Sequence, residues 1–285
     1  MIRFRFGLTP LAEVRPWGRE RRALHWFGLT DGWYAIDLDG HELLRYSEET
    51  VRRLRGGEGG GPAHPYVDYY VVRLWEDLLG TLPAALQPVP GDLADFVATD
   101  PSDWCRQETP EAEAAAQWHG DRTLNTGYLR VAPYIRWWRT VAGEAGAAET
   151  GTGETGAGEH GATGEHRATG DVVHVSWAHQ PDPEREIEFA GPTAGRVAVP
   201  TAAFLAAVTE FDRALLAAME RRIGELEAAG PPPGVELDLE QLRREQRDRS
   251  GWLERARGHA YATDWAAVRA GAGALLLRAP GGGCG

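Results

Sequence analysis

Lysine is missing: all 30 basic residues of this 285-residue chain are arginine. That excludes Schiff-base chemistry and any phosphate loop built on lysine. Asparagine occurs once, as Asn125. With heavy use of alanine, glycine and proline, these gaps read as the codon bias of a high-GC genome rather than as a functional signal. Two cysteines, Cys105 and Cys284, are too few for a disulfide framework or a cysteine-rich zinc site. Long apolar runs are absent too. No stretch has the length of a membrane span, and the opening MIRFRFGLTP alternates arginine with phenylalanine, unlike a signal peptide. The expectation is a cytoplasmic protein that does not engage membranes. Its net charge of −12 repels phosphate backbones, which argues against nucleic acid and suits a basic protein partner or a cationic ligand.

Hydropathy patterning predicts an α+β fold. Ile2, Phe4 and Phe6 alternate with arginine as in a half-buried strand. In ALHWFGLTDGWYAIDLDGHELLRYS, the turn signals Asp31-Gly32 and Asp39-Gly40 separate three short runs and predict an N-terminal β-meander. PYVDYYVVRLWEDLLGTL has Val67, Val71, Leu74 and Leu78 at helical spacing, with Pro83 placed just past the helix end. ADFV and a helix capped by Thr109 with Pro110 at its first position follow. Residues 127–140, 171–179, 186–190 and 196–199 read as strands of a mostly antiparallel sheet with helices packed on one face. A C-terminal helical run closes the chain. It comprises a long helix after Pro200 stopped by Gly230, one over about 238–257, and one from about Asp264 with Thr263 as its cap.

One domain over 1–280 accounts for this pattern. Residues 143–170 form a degenerate Gly-Thr-Glu repeat with no large apolar side chain, expected to be a disordered insertion in a hairpin loop. Residues 281–285 are expected to be a disordered tail.

The stretch WHGDRTLNTGYLRVAPYIRWWRT, from Trp118 to Thr140, concentrates binding chemistry. Alternation puts Ile135, Trp137, Val173, Val175 and Trp177 on an apolar face. Tyr134, Arg136, Trp138, His174 and Ser176 fall opposite, with Glu186 and Glu188 expected beside them. Most of that face reads as a solvated surface with cross-strand Arg–Glu pairs. Trp138 does not fit that reading, because an exposed indole needs a cover or a partner. Tyr134, Arg136, Trp138 and His174 are therefore the candidate binding residues. His119, Asp121 and Arg122 in HGDR are the weaker catalytic candidates, since an aspartate two residues away can orient an imidazole. No nucleophile is marked beside them, and a polar turn anchored by Trp118 is the favoured reading of them. His174 and His179 fall on opposite strand faces, and no metal or cofactor motif occurs.

Several blocks carry a resemblance: MIRFRFGLTPL with PWG, LHWFGLTDGWYAIDLDGHELLRYS, PYVDYYVVRLWEDLL, WHGDRTLNTGYLRVAPYIRWWR and VPTAAFLAAVTEFDRALLAAM. Together they resemble an uncharacterised, largely actinobacterial family catalogued as a domain of unknown function. The resemblance implies a single-family domain and no assigned activity. The functional expectation is a non-enzymatic binding protein, of the immunity type that neutralises a toxin, recognising a protein through its aromatic and arginine sheet face. The alternative is an enzyme with hydrolase-like acid–base chemistry at His119, Asp121 and Arg122.

Overall fold

Apolar alternation in IRFRFGL makes Ile2–Leu8 the first strand, β1, and Ile2 and Phe4 are buried as that pattern requires. The computed structural model describes residues 1–56, 64–105, 107–141 and 170–277. The elements that follow are β2 (Ala23–Leu24), β3 (Asp31–Leu38), β4 (His41–Leu43), α1 (Glu48–Arg55), β5 (Val67–Tyr70), α2 (Val71–Leu86), α3 (Ala94–Ala98) and α4 (Pro110–Gly120). Then come β6 (Pro133–Thr140), β7 (Val172–His179), β8 (Ala194–Pro200), α5 (Thr201–Ala229), β9 (Glu236–Leu237), α6 (Leu239–Arg249), α7 (Trp252–Gly258) and α8 (Trp265–Leu276). The α+β class and the C-terminal helical run hold.

Two antiparallel sheets organise the chain. In the first, β3 is central: β1 runs along one side, and β4 and β5 share the other. The second has the order β6-β7-β8, with Trp138 opposite His174 in register. A short parallel pair joins β2 to β9. The expected meander is thus corrected. Ala23–Leu24 pairs with a strand more than 200 residues away, and a 3-10 turn at Gly28–Thr30 leads directly into β3, so Asp31-Gly32 opens the strand instead of turning the chain. The turn at Asp39-Gly40 is real, with φ of 50° and 90°.

Other boundaries moved for local reasons. VDYY pairs with β3 as a strand, so α2 starts at Val71 and retains Pro83 inside its last turn. Residues 186–190 contribute one bridge, Phe189 to Tyr46, in place of a strand. The helix expected over 238–257 breaks at Ser250-Gly251 into α6 and α7. Asp264, whose carboxylate accepts from the Ala266 and Ala267 amides, caps α8 in place of Thr263. The long α5 ends where expected, at Gly230 with φ of 74°.

The principal core lies between the two sheets and α2, α5, α6 and α7, and takes in Trp137, Trp177 and Phe204. A second apolar cluster sits on the other side of β6. It joins Phe96 of α3, Trp118 of α4, Trp138 of β6 and Val268 of α8. Where helices were expected on one face of this sheet, β6 is covered on both. The α4–α8 contact is tight: a Cβ on Gly271 would lie 1.9 Å from the Glu111 carbonyl oxygen, so only glycine fits there. The repeat within residues 143–169 and the tail 281–285, expected to be disordered, lie outside the described residues. Among the described residues, no helix is long and apolar enough to cross a membrane.

Candidate functional site

The sequence nominates the outward face of β6 and β7, and strand alternation does place Tyr134, Arg136, Trp138 and His174 there together. The face is not open. Trp138 is 2% exposed and Arg136 4% exposed beneath the second helical layer, while Tyr134 and His174 are half-buried. Trp138 stacks on His174 at a centroid distance of 5.2 Å. Arg136 donates to the carbonyls of Val97 (2.5 Å) and Thr99 (3.0 Å), not to Glu186 or Glu188. Glu186 pairs with Arg130 instead. These four residues therefore do not form an exposed recognition platform. Arg136 and Trp138 instead join the sheet to a helical layer.

HGDR meets the same layer. His119 occupies the last turn of α4, 1% exposed, with Nε2 at 3.2 Å from the Thr99 carbonyl and its ring against Phe96 and Trp104. Burial, reinforced by the Arg136 guanidinium, lowers its pKa to about 3. Such an imidazole is neutral at ordinary pH and a very weak base. Asp121 does not orient it: the carboxylate accepts from the Gln117 side chain and the Tyr261 hydroxyl. Arg122 is sandwiched. Its guanidinium lies 3.9 Å from the Trp118 ring centroid and 5.4 Å from that of Tyr261, and it donates to the Trp118 carbonyl and the Gln87 side chain. Burial lowers both Arg122 and Arg136 to about 10. His119, Arg122 and Arg136 converge, but around main-chain carbonyls rather than a cleft.

The open binding chemistry lies elsewhere, on a row of rings the sequence reading missed. Trp17 is 44% exposed, one of the few large apolar side chains that face solvent. The turn behind it is fixed by reciprocal hydrogen bonds between the main chains of Trp17 and Ala23, 2.9 and 2.8 Å. Gly18 makes that turn possible with φ of 104°, where a Cβ would lie 2.0 Å from the Arg21 carbonyl oxygen. The indole N–H donates to the Tyr70 hydroxyl at 2.8 Å, and the ring sits edge-on to His25 (4.4 Å), Phe27 (5.8 Å) and Tyr70 (5.4 Å). The row continues through Tyr69 to Tyr128, which stack at 4.6 Å.

Beneath its far end, the Arg73 guanidinium lies 5.1 Å from the Tyr128 ring centroid, and Tyr34 donates to the Tyr128 hydroxyl at 3.3 Å. Asp77 sits beside them with one carboxylate oxygen buried and unpaired. Burial raises its pKa to about 6 against the pull of Arg73. Helix packing leaves both Glu76 and Asp77 half-buried. The available signal for the row was local: Trp17 stands in PWG, a segment without periodicity, so no amphipathic face claims it.

Among the described residues, no group of three histidine, cysteine or acidic side chains could hold a metal ion. No curated protein and no solved structure matches the chain. The profile of a family of unknown function (DUF5984) matches residues 3–271. The chain, matched over nearly all of its length, belongs to that family.

Proposed function

We propose that this protein is a non-enzymatic binding protein that holds a basic protein partner, in the manner of an immunity protein capping a toxin, through the aromatic row from Trp17 to Tyr128. One observation carries the reading: Trp17 is 44% exposed yet fixed in one orientation by its hydrogen bond to Tyr70 and three ring contacts. An indole ordered before binding loses little entropy on association, and tryptophan and tyrosine dominate the energetics of protein interfaces. The net charge of −12 favours a basic partner, and Asp31 lies near enough to Tyr70 to add to the rise that burial imposes on its hydroxyl.

The face of β6 and β7 cannot play this part while the helical layer covers it. The enzymatic alternative at HGDR has a buried, neutral imidazole without an aspartate partner, and nothing in its surroundings favours it. The test is affinity capture from the native host, followed by calorimetry on the purified partner. Trp17→Ala is expected to weaken binding by about 2 kcal/mol or more while leaving the melting temperature nearly unchanged. A partner bound with equal affinity by wild type and Trp17→Ala removes the row from the proposal.

A further inference from the structure

On the other side of the first sheet, β1 is an edge strand. The ladder to β3 is phased by the Asp39 amide donating to the Met1 carbonyl and the Thr9 amide donating to the Asp31 carbonyl. The odd-numbered residues of β1 therefore point their main-chain groups at β3, and Phe4, Phe6 and Leu8 point theirs away from it. No hydrogen bond from a described residue reaches those three residues' N–H or C=O groups. Folded proteins usually block such an edge, because it is a template for pairing with another chain.

Beside this edge runs a groove of about 630 Å3, between Phe6 and Leu8 of β1 and the α5 face carrying Ala214, Ala217, Ala218 and Arg221. Those helix positions fall at i, i+3, i+4 and i+7, so one face of α5 looks onto the strand edge. Alanine at three of them keeps the helix side of the groove free of bulky side chains. The groove is locally basic: Arg213, Arg221 and Arg222 line it against one carboxylate, Glu225. Arg222 is committed to the carbonyls of Leu29 and Thr9, and Arg213 to Glu210. Arg221 is exposed and makes no hydrogen bond or ion pair among the described residues.

We propose that the β1 edge and the groove beside α5 bind an acidic peptide segment in extended conformation, which adds as a strand to the first sheet and sets a carboxylate on Arg221. Strand addition of this kind draws affinity from main-chain hydrogen bonds and specificity from the pockets that alternate side chains enter. The local positive charge governs despite the overall net charge of −12, because charges beyond about 8 Å are screened at physiological salt. A second copy of this chain suits the edge less well, since its own β1 carries Arg3 and Arg5 and no carboxylate to set on Arg221.

The test uses the full chain and a fluorescein-labelled ten-residue peptide alternating valine or threonine with glutamate, read by anisotropy. The control peptide carries lysine in place of glutamate. Wild type is expected to bind the acidic peptide and not the control. Amide resonances of Phe4, Phe6 and Leu8 should shift and gain protection from exchange. Ala217→Trp, which fills the groove from an exposed helix position, and Arg221→Glu should each weaken binding by about tenfold or more. Both variants should melt as wild type does, which keeps loss of binding separate from loss of fold. Absence of binding up to about 1 mM overturns the proposal. So does equal binding of the lysine peptide, or binding indifferent to Ala217→Trp. A wild-type dimer in sedimentation that Ala217→Trp dissolves would assign the edge to a second copy and also overturn it. Trp17→Ala should leave the peptide affinity intact, so this outcome is independent of the aromatic row.

Discussion

Trp137 and Trp138 are neighbours in sequence and lie on opposite faces of one strand, which makes them a direct test of whether the second helical layer packs. Trp137 is 0% exposed in the principal core, its indole donating to the Thr81 hydroxyl at 2.9 Å. Trp138 is 2% exposed in the second cluster, stacked on His174. A tryptophan side chain buries on the order of 200 Å2, worth about 5 kcal/mol at about 25 cal/mol per Å2. Alanine retains part of that burial, and a cavity adds to the loss, so truncation of either residue should cost about 3–5 kcal/mol. The costs should be similar, because both faces are dry. Urea melts of Trp137→Ala and Trp138→Ala measure them, and thermal melts should fall by roughly 6–15 °C. Were Trp138→Ala to cost less than about 1 kcal/mol while Trp137→Ala costs the full amount, the layer of α3, α4 and α8 would not be excluding water from β6. The account of His119, Arg122 and Arg136 would fail with it.

Three further outcomes follow from the same geometry. His119 has its folded-state pKa lowered from the ordinary 6.5 to about 3. Its contribution is therefore present above pH 6.5 and is lost as pH falls towards 3. The stability advantage of wild type over His119→Gln should shrink by about 3 kcal/mol between pH 7 and pH 4, read by urea melts across that range; a constant difference would refute the buried neutral ring. Asp77 has the opposite sign, because a carboxyl raised to about 6 stabilises the fold below its unfolded value of 3.8 and loses that contribution as pH rises through 6. Asp77→Asn should gain about 1–2 kcal/mol at pH 7.5, discounted for solvent screening, and nothing at pH 4. In α8, Gly271→Ala should cost about 1–3 kcal/mol against the Glu111 carbonyl, while Gly273→Ala, with open space around its added carbon, should gain about 0.5–1 kcal/mol in the same melt.

What the sequence made legible was local. The alternation of IRFRF, the Asp39-Gly40 turn, the Thr109-Pro110 helix start and the apolar stripe of α5 each depend on a few adjacent residues, and each is where the pattern puts it. Partners distant in sequence were not legible: nothing in Ala23–Leu24 announces Glu236–Leu237. VDYY failed for a different reason, since a short apolar run before a helix reads equally as its first turn. The candidate site shows the same limit in its sharpest form. Alternation correctly groups Tyr134, Arg136, Trp138 and His174 on one face, because period two is a property of the strand itself. It carries no information about what covers that face, and the cover comes from α3, α4 and α8, elements before and far after β6.

Three of the four arginines between Trp118 and Thr140 share a role, which also explains how Arg122 and Arg136 tolerate burial without carboxylates. A helix leaves its last four carbonyls without intrahelical donors, and its dipole places partial negative charge there. Arg139 donates to the carbonyl of Leu86, the last residue of α2. Arg136 donates to those of Val97 and Thr99, at the end of α3. Arg122 donates to that of Trp118, in the last turn of α4. One short segment thus caps three helices and ties them to β6. Removing a cap should cost most where water cannot take its place. Arg136→Leu strands the Val97 carbonyl under the helical layer, leaves that of Thr99 to His119 alone, and should cost about 2–4 kcal/mol. Arg139→Leu acts at a surface position whose guanidinium also pairs with the partly exposed Asp171, and water can reach the Leu86 carbonyl once the side chain is gone. Its cost should be about 1 kcal/mol or less. Denaturant melts of both variants decide the matter, with Arg136→Lys as the control that keeps the charge but loses the fork and should recover only part of the loss. Equal costs for Arg136→Leu and Arg139→Leu, or full recovery by lysine, would mean that charge in the sheet matters and the geometry of the caps does not.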